Sequence, residues 1–158
     1  MRPLKIVSGG QTGVDRAAWD VAIQLGYDWG GWVPKGRRAE DGPIPALYDR
    51  CVEHASANLL PRTYANIDDA GATLILARHR PLTGGTLRTY EYASKAGDRG
   101  AGLMVKTGRA AIDVTQAREW IGTLLHYGPL VLNIAGPRES KCPGIYETAK
   151  AFLLEVLR

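Results

Sequence analysis

The sequence has 158 residues, of which 45% are hydrophobic and 23% charged, and it carries a net charge of +4 at pH 7. These values are typical of one globular domain, residues 1–158, and they exclude a disordered, collagen-like or coiled-coil chain. No stretch approaches the roughly 18 apolar residues of a membrane span, the N-terminus lacks a signal peptide, and two cysteines cannot form a disulfide framework, so we expect a cytoplasmic protein without membrane contact.

The first predicted unit is a strand, a glycine turn and a helix. Residues 4–7 are an apolar run, which predicts a buried strand. Three glycines follow within 9–13, and apolar residues then recur at steps of three and four over 14–25, as on one face of a helix.

The rest of the chain continues this alternation. The pattern predicts strands at 27–33, 73–77, 103–105 and 130–135. It predicts helices at 46–57, from about 87 to 96, from 111 to 127 and, at the end of the chain, at 144–157. It also predicts an irregular loop at 34–45 and a short helix or turn at 66–71. Strands alternating with helices predict an α/β fold with a mostly parallel sheet covered on both faces. Ligands bind beyond the carboxyl ends of such strands, so the loops 8–13, 34–45, 83–86 and 135–140 should share one rim.

Two of these loops are suited to bind an anion. Backbone N–H groups at a strand-to-helix turn form a concave anion site, and the helix dipole adds positive potential. The first loop contains Ser8, Gln11 and Thr12, whose side chains are further donors, and a tight packing turn is the alternative interpretation. The sequence Gly84-Gly85-Thr86 repeats the same pattern before a later helix.

Charged residues accompany these loops. Lys35, Arg37 and Arg38 lie beside Glu40 and Asp41, and a further arginine follows Gly136-Pro137. Arginine forks suit phosphate or carboxylate, whereas a solvated charged loop is the alternative. The charge excess is small and forms no basic stripe with interleaved aromatic residues, so nucleic acid is not an expected partner.

Several standard sites are excluded. Gly9, Gly10 and Gly13 form G-G-x-x-G rather than the dinucleotide fingerprint G-x-G-x-x-G, and no Walker A sequence or G-x-S-x-G elbow is present. Cys51 and His54 lack a second ligand pair, so we expect no zinc site.

Four motifs resemble one known family. They are SGGQTGVDRAAWD (8–20), GGWVPKGRRAEDGPIP (30–45), TLIL followed by GGT (73–86), and AGPRES with PGIY (135–146). In this order they resemble the circularly permuted YpsA family of the SLOG superfamily, which includes DprA-like and LOG-like proteins and carries the label of molybdenum carriers. The resemblance covers about residues 5–155.

The resemblance implies a Rossmann-like three-layer fold with a permuted sheet order, a homo-oligomer such as a dimer or tetramer, and a pocket for a small phosphorylated ligand, either a nucleotide or molybdenum cofactor. The family's motif residues fall on Gly9, Gly10, Gln11, Thr12, Gly13, Asp15, Lys35, Gly36, Arg37, Arg38, Glu40, Asp41, Gly84, Gly85, Thr86, Gly136, Pro137, Arg138, Glu139 and Ser140. The predicted ligand-binding residues are Ser8 and all of these motif residues except four. The four exceptions are Asp15, Glu40, Pro137 and Glu139.

The resemblance also raises an enzymatic alternative. LOG-like relatives cleave the N-glycosidic bond of nucleoside monophosphates with a P-G-G-x-G-T-x-x-E motif. This chain lacks the third glycine and has Thr89 in place of the glutamate. Glu40 or Glu139, our candidate catalytic residues, would have to act instead as acid or base. A binding module without turnover is therefore our first hypothesis, and a phosphoribohydrolase-like enzyme is the second.

Overall fold

The computed structural model describes residues 3–78, 81–95, 103–106 and 114–158. The strands are β1 (Leu4–Val7), β2 (Asp28–Val33), β3 (Arg38–Ala39), β4 (Gly42–Pro43), β5 (Cys51–Glu53), β6 (Ala72–Ala77), β7 (Leu103–Lys106) and β8 (Leu130–Ala135). The helices are α1 (Val14–Leu25), α2 (Leu59–Asp68), α3 (Gly84–Lys95), α4 (Val114–His126) and α5 (Ile145–Leu157).

Six strands form one sheet in the order β5-β2-β1-β8-β6-β7, and each pairing is parallel. The short strand β5 lies at one edge, and the last strand of the chain, β8, lies between β1 and β6. From β1 the chain continues to β2, toward one edge of the sheet, and from β6 it continues to β7, toward the other edge. The topological switch therefore lies at the carboxyl ends of β1, β8 and β6.

Two groups of helices cover the sheet. Helix α5 packs against α1 and α4, and α2 packs against α3. The right-handed crossovers from β1 to β2 and from β6 to β7 run in opposite directions, which places α1 and α3 on opposite faces. All six residues of β6 are buried, as expected for a strand covered on both faces. The predicted α/β fold with a parallel central sheet is therefore confirmed.

Most predicted elements are confirmed with shifted ends. Helix α2 is longer than the short helix or turn predicted at 66–71 and begins at Leu59. Helix α3 begins at Gly84 rather than near residue 87, because its two glycines lie inside the first turn. Residue 96 and residues 111–113, the predicted ends of two helices, lie outside the described part of the chain.

The prediction for residues 34–57 was wrong in two places. The predicted helix at 46–57 does not form: strand β5 pairs there with β2, and the segment before it makes turns. The predicted irregular loop at 34–45 contains the short β3–β4 hairpin. The reason is the side chain of Arg37, whose guanidinium donates to the carbonyls of Tyr48 (3.0 Å) and Pro45 (3.2 Å) and so fixes this segment as turns.

Candidate functional site

A cavity of about 510 Å³ opens at the topological switch. Loops that follow β1, β6 and β8 line it, together with α2 and the first turn of α3. Seven of the predicted ligand-binding residues are in its wall, namely Gly9, Gln11, Gly84, Gly85, Thr86, Gly136 and Arg138. Three of the four loops expected at one rim therefore contribute to one concave site.

The other predicted residues are not in the described lining of this cavity. They are Ser8, Gly10, Thr12, Gly13, Lys35, Gly36, Arg37, Arg38, Glu40, Asp41, Glu139 and Ser140. Most of them hold the loops against one another instead.

The loop 8–13 is closed by the protein's own side chains. The Gln11 N–H donates to Oδ2 of Asp15 at 3.2 Å, and the backbone of Gly9 binds the same carboxyl group. The Thr12 N–H donates to the side-chain oxygen of Gln11 at 3.1 Å. Asp15 therefore occupies the concave anion site that the glycine pattern predicts.

The two other glycines of this loop serve close packing. Gly13 has a φ of 78°, and a Cβ there would lie 2.4 Å from the carbonyl oxygen of Pro137. Gly10 has a φ of 75°, and a Cβ there would lie 2.8 Å from the ring of Trp19. These positions need glycine both for their backbone conformation and for space.

The first turn of α3 is open. A Cβ added to Gly84 or Gly85 would meet no atom of the described residues within 4 Å. The Leu87 N–H donates to the Thr83 carbonyl at 3.3 Å, which closes the first turn. Because the first N–H groups of a helix have no partner within the helix, this end presents donors and a positive dipole end to the cavity.

Three cations line the same cavity as this helix end. The Arg78 guanidinium donates to the Pro143 carbonyl and the Thr148 hydroxyl, both at 2.9 Å, and no carboxylate pairs with it in the part of the chain that the structure describes. Lys141 is exposed, and no carboxylate pairs with it among the described residues. Nε of Arg138 lies 3.4 Å from a carboxylate oxygen of Glu40.

Glu40 ties three loops together from outside the cavity. Its carboxylate accepts hydrogen bonds from the hydroxyls of Thr12 and Ser140 and from the Ser140 N–H at 3.1 Å. Burial would raise the pKa of Glu40, but these hydrogen bonds and Arg138 outweigh burial and lower it. The group is an anchored anion, which is the opposite of a poised proton donor.

Glu139 has a comparable structural task. Its carboxylate accepts from the backbone N–H groups of Gly144 at 2.5 Å and Tyr146 at 3.0 Å, at the start of α5. A carboxylate at a helix N-terminus satisfies otherwise unpaired donors and interacts favourably with the dipole. Both predicted catalytic glutamates are therefore placed where they fasten loops.

The charged loop 35–42 packs on the outer side of the site. Asp41 forms a two-pronged pair with the guanidinium of Arg16, with both distances at 2.9 Å, which lowers the pKa of Asp41. The Gly36 N–H donates to Glu53 at 2.8 Å, and Lys35 and Arg38 are exposed. The structure does not bring these cations to the cavity.

A buried ion pair stands in the cavity wall. Asp15 and Arg62 are 6% and 8% exposed, and Oδ2 of Asp15 lies 3.8 Å from Nη1 of Arg62. Burial raises the pKa of Asp15 to about 6, although Arg62 opposes this effect. Burial also lowers the pKa of Arg62.

The described residues contain no group of three or more His, Cys, Asp or Glu side chains that could hold a metal ion. They also contain no helix long and apolar enough to cross a membrane. Among the described residues, the cavity wall holds four cationic side chains and one carboxylate, so its donors suit an oxyanion rather than a bare metal cation.

Comparisons with known proteins agree with this architecture. The Circularly permutated YpsA SLOG family matches residues 6–157. The chain belongs to this family. A solved structure described as "Putative molybdenum carrier protein", from Syntrophus aciditrophicus SB, is 40% identical, with 98% of this chain and 94% of that chain covered and a TM-score of 0.85. No curated protein matches the chain.

For this member of the YpsA SLOG family, the predicted ligand-binding residues did not include three cationic residues of the cavity: Arg62, Arg78 and Lys141. Arg62 was missed because the short helix or turn was predicted at 66–71, whereas α2 begins at Leu59, so this wall of the cavity was not predicted. Arg78 directly follows the buried strand β6, and this position at the carboxyl end of a strand is the signal that could have identified it.

Proposed function

We propose that this protein binds a small phosphorylated ligand, a nucleotide or nucleotide-derived compound, in the cavity at the carboxyl ends of β1, β8 and β6. The phosphate would lie at the open first turn of α3, between Gly85 and Thr86 on one side and Arg78 and Lys141 on the other. The single observation that carries this proposal is that one cavity is lined by the first turn of α3 and by two cations that have no carboxylate partner among the described residues.

The label of the similar solved structure is compatible with this proposal. A molybdenum cargo would reach such a site either as the molybdate oxyanion or as a cofactor that carries a phosphate. Both present tetrahedral oxyanions, which backbone N–H groups and arginine bind well. We propose a carrier or binding role rather than turnover because neither Glu40 nor Glu139 is in the described lining of the cavity.

A thermal-shift screen followed by calorimetric titration tests the proposal. The compounds are inorganic phosphate, molybdate, ribose 5-phosphate, nucleoside mono- and diphosphates and ADP-ribose. A ligand at 100 times its dissociation constant should stabilise the protein by about 2.7 kcal/mol. Failure of every compound to raise the melting temperature would contradict the proposal.

A pair of lysine variants localises the binding. Lys141→Ala should weaken affinity by about threefold to tenfold, because one exposed cation is removed from the anion site. Lys150→Ala is the matched control, since Lys150 stands over the Tyr146 ring on α5 and is not in the described lining. Equal loss in both variants would indicate a general charge effect.

A further inference from the structure

Arg62 is unusual among the described residues. Its side chain is 10% exposed, and its Nε is the buried side-chain nitrogen that has no hydrogen-bond partner. The neighbouring Asp15 oxygen, at 3.8 Å, is beyond hydrogen-bond distance. A buried guanidinium whose Nε–H has no partner is costly, and the place of this side chain in the wall of a cavity points to a ligand that completes its hydrogen bonding.

The local backbone is shaped to admit this side chain. A Cβ on Gly9 would lie 1.9 Å from Nη1 of Arg62 and 3.0 Å from Oδ2 of Asp15. Gly9 does not have a positive φ, so alanine fits its backbone conformation. The glycine at this position therefore provides room for the guanidinium.

The two sets of charges in the cavity differ in their balance. Arg62 is matched by Asp15, so this pair is neutral when Asp15 is ionised. Arg78 and Lys141 have no such match among the described residues and attract an anion. The Arg62–Asp15 pair is consequently suited to a neutral polar group of the same ligand.

The chemistry of the pair defines that group. A carboxylate accepts and a guanidinium donates, and they stand side by side. Their complement is a ring edge with an N–H group next to a carbonyl oxygen or ring nitrogen. Leu59, Leu60 and Leu82 also line the cavity and offer apolar surface to the faces of a flat ring.

Resting on the proposed function, we propose that Arg62 and Asp15 recognise the edge of a planar nitrogen heterocycle whose phosphate is held at α3. Nucleobases and pterins share this donor–acceptor edge. The pair is thus a specificity site, and the phosphate site at α3 is common to all ligands of this class.

Calorimetric titration of the full chain tests this inference. The probes are ribose 5-phosphate, which has no base, guanosine and adenosine monophosphates, and a pterin monophosphate. We expect at least one heterocycle-bearing probe to bind about tenfold or more tightly than ribose 5-phosphate. The tighter of the purine and pterin probes identifies the source of the ring.

Two variants assign the selectivity to the pair. Gly9→Ala should displace the Arg62 guanidinium, whose end is flexible, without changing any charge, and Arg62→Met removes its donors. Both should reduce the preference for the heterocycle to about threefold or less, and Gly9→Ala, which changes no charge, should leave the affinity for ribose 5-phosphate the same. Gly122→Ala, on α4 with open space around its Cα, is the control for a glycine substitution.

The outcomes separate the two proposals. Equal binding of ribose 5-phosphate and every heterocyclic probe to the wild-type protein overturns the specificity site and leaves the phosphate site standing. Full selectivity retained in both variants also overturns it. Binding of none of the probes overturns both proposals.

Discussion

The two glycine loops of this protein differ in what their backbone donors bind. Loop 8–13 follows β1 and precedes α1, and loop 83–86 follows β6 and begins α3. In the first, Asp15 and the Gln11 side chain occupy the backbone N–H groups. In the second, an added Cβ would meet open space at both glycines.

This difference shows what a glycine pattern can predict. Glycines between a strand and a helix indicate a turn with exposed N–H groups, but they do not indicate what those groups bind. In the first loop the acceptor comes from the first turn of the following helix, at Asp15. In α3 the corresponding turn has no acidic residue, and its residues line the cavity.

The largest expected effect follows from closing the first loop further. Gly13→Ala places a methyl group 2.4 Å from the Pro137 carbonyl at a φ of 78°. Backbone strain and overpacking should together lower the unfolding free energy by about 3 kcal/mol or more. Urea denaturation measures this loss. An unfolding free energy close to that of the wild type would contradict the packing described for Gly13.

A second prediction concerns the carboxyl group that fills the first loop. Burial raises the pKa of Asp15 from 3.8 to about 6. Between these two pH values the folded protein therefore retains a proton that the unfolded chain releases. The stabilisation from this proton is fully present below the lower value and is lost as the pH rises through about 6.

The Asp15→Asn variant isolates the stabilisation that comes from this proton. Relative to the wild type, the variant should gain on the order of 3 kcal/mol of unfolding free energy between pH 4 and pH 7, although its absolute stability also reflects the loss of the partner of Arg62. Denaturation of both proteins across this range gives the difference. A difference that does not change with pH would exclude an elevated pKa at Asp15.

A smaller effect is expected at Glu40, which fastens the same loop from outside. Glu40→Gln removes the charge that strengthens its bonds to Thr12, Ser140 and Arg138. We expect a loss of about 1 kcal/mol near pH 7. Because the pKa of Glu40 is lowered in the folded state, this loss should shrink as the pH falls through that pKa.

The same variant separates a fastening role from a catalytic one. A melting temperature that falls while ligand affinity persists is the expected result. Unchanged stability together with lost turnover of a nucleoside monophosphate would show that Glu40 acts as a catalytic acid or base.

The sequence predicted the sheet, most helices and three of the four loops of the rim because apolar periodicity and glycine turns are local signals. It did not predict β5, because residues 51–53 are held by the neighbouring strand and by the long reach of Arg37. It also could not identify which group accepts hydrogen bonds from the backbone N–H groups of each glycine loop. Glu40 and Glu139 were candidates because the resemblance to LOG-like proteins implied a catalytic glutamate, whereas their partners are backbone groups and hydroxyls brought together by the fold.

The most direct test of the open loop is the introduction of a negative charge at its centre. Gly85 does not have a positive φ and has open space at its Cβ position, so Gly85→Asp and the neutral Gly85→Asn both fit the first turn of α3. A carboxylate at this N-terminal end of α3 interacts favourably with the helix dipole, so the stability of the Gly85→Asp protein should be unchanged or slightly higher.

Calorimetric titration with ribose 5-phosphate then decides the question. We predict that Gly85→Asp binds about tenfold or more weakly than the wild-type protein and that Gly85→Asn stays within about threefold of it. If Gly85→Asp binds ribose 5-phosphate as the wild type does, the phosphate does not lie at α3 and the account of the open loop is wrong.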